Sequence, residues 1–250
     1  MSGTQALPIL SSAIVLFFAL LVLRRFAARR GTHLLVWGIG LLFFGVASAA
    51  EAYSAVAWSP LVFRLWYLAG AVLSAAWIGQ GTVLLLAGSR TPGGTVRGPR
   101  SRRVAASLMG LLLAGSTAAA YLVFTLPLDA SRFDPRRPLS AQYREILPAG
   151  AAVRKLTPVF NIYGTVTVVG GALYSAWLLR RREITGHRVA GNVLIAAGAL
   201  VIASASTMVR LGLGDLLYLG EVLAAALMFS GFLLTTALPA ASRTNEAVRG

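Results

Sequence analysis

Seven apolar segments, most of them joined by short loops, constrain this chain more than any other feature of its sequence. A helix rises about 1.5 Å per residue, so about 20 apolar residues are needed to cross about 30 Å of hydrocarbon. The segments are continuous and lack the alternation that is typical of barrel strands. We therefore predict a single all-α domain over residues 1–250, a polytopic membrane protein built as a seven-transmembrane-helix bundle. The predicted spans are 7–23, 34–54, 61–87, 104–126, 158–179, 189–209 and 216–238.

The composition supports a membrane protein whose main partner is the lipid bilayer. Hydrophobic residues make up 57% of the chain and charged residues 12%, whereas soluble domains carry about 25% charged residues. The 23 basic residues against 8 acidic ones lie mostly in short loops, where they orient a membrane chain, so we predict no nucleic-acid partner. Lys155 is the single lysine, and this use of arginine is typical of GC-rich bacterial genomes. We therefore expect the inner (plasma) membrane of a bacterium.

The charge of the loops predicts the orientation of the bundle. The loops after the first, third and fifth segments hold four, five and four arginines, which is the pattern of cytoplasmic loops. Residues 1–6 carry no charged side chain, unlike the basic start of a signal peptide, so the first segment is predicted to be a retained span. These features predict an N-terminus outside, a C-terminus inside and an extracytoplasmic loop over 127–157.

Local signals predict how some segments begin. A cap residue followed by proline precedes the third segment (Ser59, Pro60) and the fifth (Thr157, Pro158), which predicts helix starts at these prolines. The loop 127–157 contains four prolines. Its stretch 140–147 fits either a short interfacial helix or a solvated irregular loop, and we favour the irregular loop.

Ionisable residues inside the predicted spans are costly, and each requires a reason. Glu51 lies about one turn from the outer end of the second segment, and Glu221 lies in the last one. Arg64 and Arg210 fall at a similar depth. Two interpretations remain open: ion pairs that hold helix ends together, or an outward-facing polar pocket that binds a ligand. The candidate ligand-binding residues are Glu51, Arg64, Tyr67, Arg210, Tyr218 and Glu221.

Aromatic and polar residues recur at helical spacing on the third and fifth segments, and the second segment has a similar stripe formed by Trp37, Phe44, Ser48 and Glu51. Such stripes can line a cavity for an apolar or aromatic ligand. The alternative, which we favour, is packing between helices, with Gln80 and Asn161 as interhelical hydrogen bonders. The candidate cavity-lining residues are Trp66, Trp77, Gln80, Asn161 and Tyr163.

The sequence gives no support for several chemistries. The chain has no cysteine, and its two histidines, His33 and His187, fall in predicted cytoplasmic loops, which argues against a metal centre or a haem with two histidine ligands. A retinal Schiff base needs a lysine in the bundle, and Lys155 lies just before the fifth segment. We predict no catalytic residue, no metal and no cofactor, and therefore a protein that is not an enzyme.

One region resembles a known family. Within 37–88, the second segment ends in Glu51-Ala-Tyr53, the third begins with Phe63-Arg-Leu-Trp66-Tyr67-Leu-Ala-Gly70, and Trp77 and a closing Leu-Ala-Gly88 follow. These residues resemble the seven-transmembrane N-terminal sensor region of bacterial membrane histidine kinases. The resemblance implies a sensor. Only about a dozen residues follow the last segment, so we expect a stand-alone version without the kinase domain, whose output passes through a protein partner.

These observations lead to three hypotheses about function. The first is a stand-alone small-ligand sensor with an outward-facing polar pocket. The second is a structural or accessory subunit of a larger membrane complex, which contacts its partners through helix faces or cytoplasmic loops. The third is a transporter or an enzyme that acts on lipid.

Overall fold

The computed structural model describes residues 3–88, 98–181, 186–210 and 215–236, with the side chains of 3–6, 206–210 and 215–217 excepted. All regular secondary structure in these ranges is helical, as predicted. A π-helix, Tyr67–Leu73, joins α3 to α4 without a break, and a short 3-10 helix, Ala130–Arg132, precedes α6. The α-helices are α1 (Gly3–Arg29), α2 (Thr32–Ser54), α3 (Pro60–Trp66), α4 (Ser74–Gly88), α5 (Pro99–Thr125), α6 (Leu139–Ile146), α7 (Val153–Arg181), α8 (Gly186–Arg210) and α9 (Asp215–Thr236).

Seven helical segments in the described ranges are long and apolar enough to cross a membrane, which confirms the predicted all-α seven-helix bundle. The third segment combines α3, the π-helix and α4. Large apolar side chains such as Leu111 and Val166 are well exposed on the outside of the bundle, as expected of a surface that faces lipid. The chain is thus a multi-pass membrane protein. The segments are Leu7–Arg29, Thr32–Ser54, Pro60–Gly88, Pro99–Thr125, Val153–Arg181, Gly186–Ala205 and Tyr218–Thr236.

Six of the seven segments form a closed ring. Around this ring, α1 packs on α2, α2 on α4, α4 on α7, α7 on α8, α8 on α9, and α9 returns to α1. The helix α5 lies outside the ring and packs mainly against α4. The first and last spans are therefore neighbours, which brings the outer ends of α1, α2 and α9 together.

Close backbone contacts between helices depend on glycine at a few positions. A Cβ added at Gly164 in α7 would overlap the backbone of Ala75 in α4. Gly191 in α8 and Gly231 in α9 approach each other in the same way, and a Cβ on either would lie within 3 Å of the carbonyl oxygen of the other. Packing of this kind is typical of membrane helices, whose association depends on van der Waals contact at small residues.

The segment between α5 and α7 is a folded cap on one end of the bundle, and not the irregular loop that we favoured. The helix α6 buries Leu139, Gln142 and Ile146, each at most 1% exposed, on one face. The Gln142 amide accepts a hydrogen bond from Asp134 N (2.8 Å) and donates to the carbonyl oxygens of Asp134 (2.9 Å) and Arg137 (2.6 Å). The four prolines thus end or precede helical turns in a compact cap rather than preventing structure.

Of the two helix starts predicted at prolines, the structure confirms one and contradicts the other. Ser59 caps α3, where its hydroxyl accepts a hydrogen bond from Val62 N at 3.4 Å and Pro60 occupies the first turn, as predicted. The start predicted at Pro158 is wrong, because α7 begins at Val153. The Thr157 hydroxyl donates to the Val153 carbonyl oxygen (3.0 Å), which supports an extra turn in front of the proline.

Several basic residues predicted in loops lie in helix ends instead. The helix α1 continues through Arg24, Arg25 and Arg29, and His33 and His187 lie in the first turns of α2 and α8. Helices that extend beyond the hydrocarbon can still place charged groups at the lipid headgroups, since long side chains reach outward. The predicted basic linker, residues 89–97, and the chain end from 237 lie outside the described residues.

Candidate functional site

Glu51 connects the bundle to the cap. It lies on α2 one turn before the helix ends and is 5% exposed. Its Oε1 accepts a hydrogen bond from the backbone N–H of Leu139 at 2.8 Å, and Leu139 is the first residue of α6. The free N–H groups at a helix start carry partial positive charge and attract carboxylates. Glu51 therefore caps α6 from another helix.

The same carboxyl oxygen also connects α2 to α9. The hydroxyl of Tyr218, the first residue of the last span, donates to Glu51 Oε1 at 2.9 Å. The Trp66 side chain, at the end of α3, also interacts with the Glu51 carboxyl. One buried acid thus joins α2, α3, α6 and α9, and three of its neighbours come from segments that are far apart in sequence.

Glu221 is the second acid of the site. It lies one turn after Tyr218 on α9 and is close enough to Glu51 for the two carboxyls to interact electrostatically. Its Oε2 atom is buried and has no hydrogen-bond partner. The Ser48 hydroxyl approaches the Glu221 carboxyl, but Ser48 Oγ is also without a partner in hydrogen-bond geometry, although the residue is only 2% exposed.

A third unpartnered group, Ser11, lies on α1 at the level of Glu221. Phe18 of α1 contacts Phe229 of α9 with ring centroids 5.4 Å apart. Ser11 precedes Phe18 by seven residues and Glu221 precedes Phe229 by eight, and both helices rise at the same rate. The Ser11 hydroxyl is fully buried without a partner, whereas the adjacent Ser12 donates to the Gly45 carbonyl oxygen at 3.2 Å.

The structure does not form the ion pair that we considered between Glu51 and Arg64. Arg64 Nη2 donates instead to the Leu126 carbonyl oxygen at 2.9 Å, at the end of α5. The ion pairs within the described ranges, Arg132–Asp129 and Arg137–Glu145, are both in the cap. Helix phase directs Arg64 away from Glu51 although the two are close in sequence. The side chain of Arg210 lies outside the described residues.

Tyr67, another predicted ligand-binding residue, supports the cap. Its side chain is 1% exposed, and its hydroxyl shares a hydrogen bond with Thr157 Oγ1 at 3.0 Å. Its ring contacts that of Tyr143 on α6, with centroids 5.7 Å apart, and Trp66 contacts the same ring at 6.1 Å. The structure therefore brings Glu51, Tyr218 and Glu221 together and places Tyr67 and Arg64 on the adjoining cap contacts.

The predicted cavity-lining residues form hydrogen bonds between helices. Trp77 Nε1 donates to Ser116 Oγ at 3.1 Å. Gln80 donates to the Ala105 carbonyl oxygen (2.9 Å) and accepts from the Tyr163 hydroxyl. Asn161 donates to the Ala71 carbonyl oxygen at 2.7 Å, within the π-helix, where the altered hydrogen-bond pattern leaves carbonyl groups that need partners.

A separate apolar cavity lies among the ring helices, away from the acid pair. Its volume is about 50 Å³, and it is lined by residues that include Trp37, Ile78, Thr82, Met228 and Phe232. None of the five predicted cavity-lining residues lines it. Met228 and Phe232 lie two and three turns beyond Glu221 on α9, so the cavity and the acid pair occupy different depths of the bundle.

Two of the groups around the acids differ in how far the sequence could predict them. The donor from Leu139 is a backbone N–H, which a residue type does not indicate. Ser48 precedes Glu51 by three residues, and this spacing predicts that both lie on one face of α2.

The cap has an exposed ion pair between Arg137 and Glu145. Arg137 donates to Glu145 through both terminal nitrogens, at 3.1 and 2.8 Å. These hydrogen bonds lower the pKa of Glu145. Because the carboxyl is more acidic in the folded cap than in an unfolded chain, the pair stabilises the cap at neutral pH and is lost as the pH falls through the folded-state pKa. Both side chains are exposed, so this contribution to stability is small.

In chemical terms, the site offers two carboxyls and the Ser48 hydroxyl, with unused hydrogen-bonding capacity at Glu221 Oε2 and Ser48 Oγ. Hard oxygen groups of this kind bind protons and hard cations. No protein-family model matches the chain, and no curated protein matches it either.

Proposed function

We propose that the protein is a membrane sensor that binds its ligand at the Glu51–Glu221 pair and transmits the binding to the cap and to α9. The observation that carries this proposal is the position of Glu51. Its Oε1 accepts hydrogen bonds from the first backbone N–H of α6 and from the Tyr218 hydroxyl of α9. Any ligand that attracts or neutralises this carboxyl competes with both contacts. Binding at one point would therefore change two structural elements.

The direction of transmission follows from the helices. The helix α9 extends from Tyr218, beside the site, to Thr236 at the other end of the bundle, and it packs along α8 and α1. A change in the hydrogen bond between Tyr218 and Glu51 would alter the position or tilt of a helix that crosses the whole membrane. The resemblance of residues 37–88 to sensor regions of bacterial histidine kinases agrees with such a role, with the output passed to a protein partner.

The proposal includes the orientation of the bundle and its location in a bacterial inner membrane. The arginine-rich ends of α1 and α7 lie at the end opposite the cap, and the positive-inside rule assigns that end to the cytoplasm. The cap and the acid pair then lie at the outer surface, where a sensor of the cell exterior needs them.

A Tyr218→Phe variant tests the coupling between α9 and the cap. Removing the hydroxyl takes one hydrogen bond from Glu51, so the carboxyl is held less firmly against the α6 start. We expect amide exchange of residues 139–146, measured by mass spectrometry in nanodiscs, to rise about 3–10-fold, as the loss of one hydrogen bond implies.

The control for this variant is Tyr121→Phe, since Tyr121 is 69% exposed on α5 and distant from the site. This control should leave the exchange of α6 at the wild-type rate. Unchanged exchange in α6 after Tyr218→Phe would contradict the proposed coupling, even if Tyr218→Phe lowered the overall stability.

The orientation has its own test. The chain contains no cysteine, so a single engineered thiol reports one position. We expect Arg136→Cys, on the exposed surface of the cap, to react in intact cells with a maleimide that cannot cross the membrane. Arg102→Cys, exposed at the start of α5, should react only after the cells are opened. The reverse pattern would refute the N-out orientation.

A further inference from the structure

We infer that the ligand of this site is an alkali metal cation, held between the Glu221 and Glu51 carboxyls and the Ser48 hydroxyl. The inference rests on the proposed function, because it names the ligand class of the same site. Three features carry it: the charge of the two acids, the unpartnered oxygen atoms between them, and the tight enclosure of the site.

The charge of the site favours a cation. Glu51 already accepts hydrogen bonds from Leu139 N and the Tyr218 hydroxyl. Glu221 Oε2 accepts no hydrogen bond, and among the described side chains, which do not include that of Arg210, no basic group forms an ion pair with either acid. Carboxyls inside a membrane protein are costly unless a partner balances them, and they commonly mark ion sites. Glu221 is therefore the group that needs a counter-charge.

The unpartnered atoms point to the same place. Ser48 Oγ and Glu221 Oε2 are both buried without a hydrogen-bond partner, and the Ser48 hydroxyl lies near the Glu221 carboxyl. Buried polar atoms are nearly always satisfied, so unpartnered oxygens on neighbouring side chains point to a bound water or ion. A cation satisfies both oxygens at once, since each offers a lone pair. The Ser11 hydroxyl, also unpartnered, lies at a similar depth on α1.

The burial of the site and the number of its oxygen atoms narrow the class of cation that it can bind. Ser48, Glu51 and Tyr218 are 2%, 5% and 8% exposed and Glu221 is partly buried, which favours a small ion over a bulky organic cation. Glu51 Oε1 accepts from Leu139 N and Tyr218, and Trp66 also interacts with this carboxyl, so the two acids keep at most three free oxygens, to which Ser48 adds one hydroxyl oxygen. Ca²⁺ takes six to eight oxygens, and Mg²⁺ retains several waters. A weakly hydrated monovalent ion fits this small set of hard oxygens better than either.

Binding of radioactive Na⁺ to the full chain in nanodiscs tests the inference. Choline chloride replaces NaCl to keep the ionic strength constant, because choline is too large for the site. We expect saturable Na⁺ binding, and a thermal unfolding midpoint that rises by about 5–10 °C when Na⁺ reaches about 100 times its dissociation constant.

Two variants and one matched control assign the binding to the named groups. Glu221→Gln should weaken Na⁺ binding by at least about 100-fold, and Ser48→Ala by about 10-fold, the cost of one lost oxygen ligand. Ser54→Ala is the control, since Ser54 is buried on the same helix but its hydroxyl donates to the Ala50 carbonyl oxygen at 2.8 Å. It should bind Na⁺ as the wild type does.

In choline alone, Glu221→Gln should unfold at a higher temperature than the wild type, because an unbalanced charge has been removed. This readout stays informative if the variant binds nothing. A structural role for Glu221 as a hydrogen-bond acceptor would give the opposite change.

Four results would overturn the inference: no saturable Na⁺ binding, equal stabilisation by choline, binding of Ca²⁺ alone, or a site that takes up only protons. The two proposals fail separately. Na⁺ binding that leaves the amide exchange of α6 unchanged would refute the sensor and keep the cation site. Coupling of Tyr218 to the cap without any Na⁺ binding would do the reverse.

Discussion

Gly164→Ala should lower the free energy of unfolding by about 3 kcal/mol, a large effect for one added methyl group. A Cβ at this position in α7 overlaps the carbonyl carbon and oxygen of Ala75 and the nitrogen of Ala76 in α4, which are backbone atoms that no rotamer change can move. The two helices would have to separate, and that would weaken the contacts along their whole interface. Reversible unfolding in mixed detergent micelles measures the change.

Gly170→Ala is the matched control for this prediction. It makes the same chemical change in the same helix, six residues along, where an added Cβ meets no atom within 4 Å. Alanine favours a helix over glycine by about 1 kcal/mol, so this variant should be as stable as the wild type or slightly more stable. Equal stability of the two variants would mean that α7 and α4 are not packed as described.

The helical bundle could be predicted from sequence because the bilayer imposes a length on each span. Continuous apolar runs have few other ways to satisfy their backbone groups in hydrocarbon. The exact ends were harder to predict, since arginines at helix ends look like loop residues. Arg29 ends α1 and Arg102 lies inside the first turns of α5, yet both belong by sequence to basic connections.

The cap could not be predicted in the same way. A proline-rich segment outside the membrane usually predicts irregular structure. The helix α6 is only eight residues long, so its own pattern is too short to indicate otherwise. Its stability comes from tertiary contacts, with Leu139 and Ile146 buried against the bundle and Gln142 bonded to three backbone groups. Short helices depend on such packing rather than on propensity, and packing partners far apart in sequence leave no local pattern.

The acid pair was predictable as a pair of unusual residues but not in its contacts. Glu51 and Glu221 stand out because charged residues are rare in spans. Arg64 is the partner that the short connection predicts for Glu51, but its guanidinium donates to the Leu126 carbonyl oxygen instead. The real donors to Glu51 are a backbone N–H from the cap and a tyrosine hydroxyl from the last span, and only the closed ring of helices brings them together.

The second large effect concerns Glu51 itself. Glu51→Leu should lower the free energy of unfolding by about 2–4 kcal/mol, since it removes the cap of α6 and the buried hydrogen bond from the Tyr218 hydroxyl to Glu51. Glu51→Gln keeps an oxygen that can accept from Leu139 N and from Tyr218, and it also removes the repulsion with Glu221. We therefore expect the glutamine variant to be nearly as stable as the wild type.

The contrast between these two variants separates capping from charge. If the negative charge of Glu51 were the stabilising feature, glutamine and leucine would be similarly harmful. If neither variant altered stability, the carboxyl would not hold the cap. Thermal unfolding of the purified proteins in the same nanodiscs gives the comparison.

The hydrogen bond from Leu139 N to the Glu51 carboxyl connects the acid pair to the cap, and the proposed coupling depends on it most directly. Amide exchange at the first turn of α6 measures it directly. We expect the exchange of residues 139–142 to rise about 10–30-fold in Glu51→Leu and to stay within about 3-fold of the wild type in Glu51→Gln. Equal exchange in all three proteins would show that Glu51 does not hold the cap, and the proposed route from the site to the outer surface would be wrong.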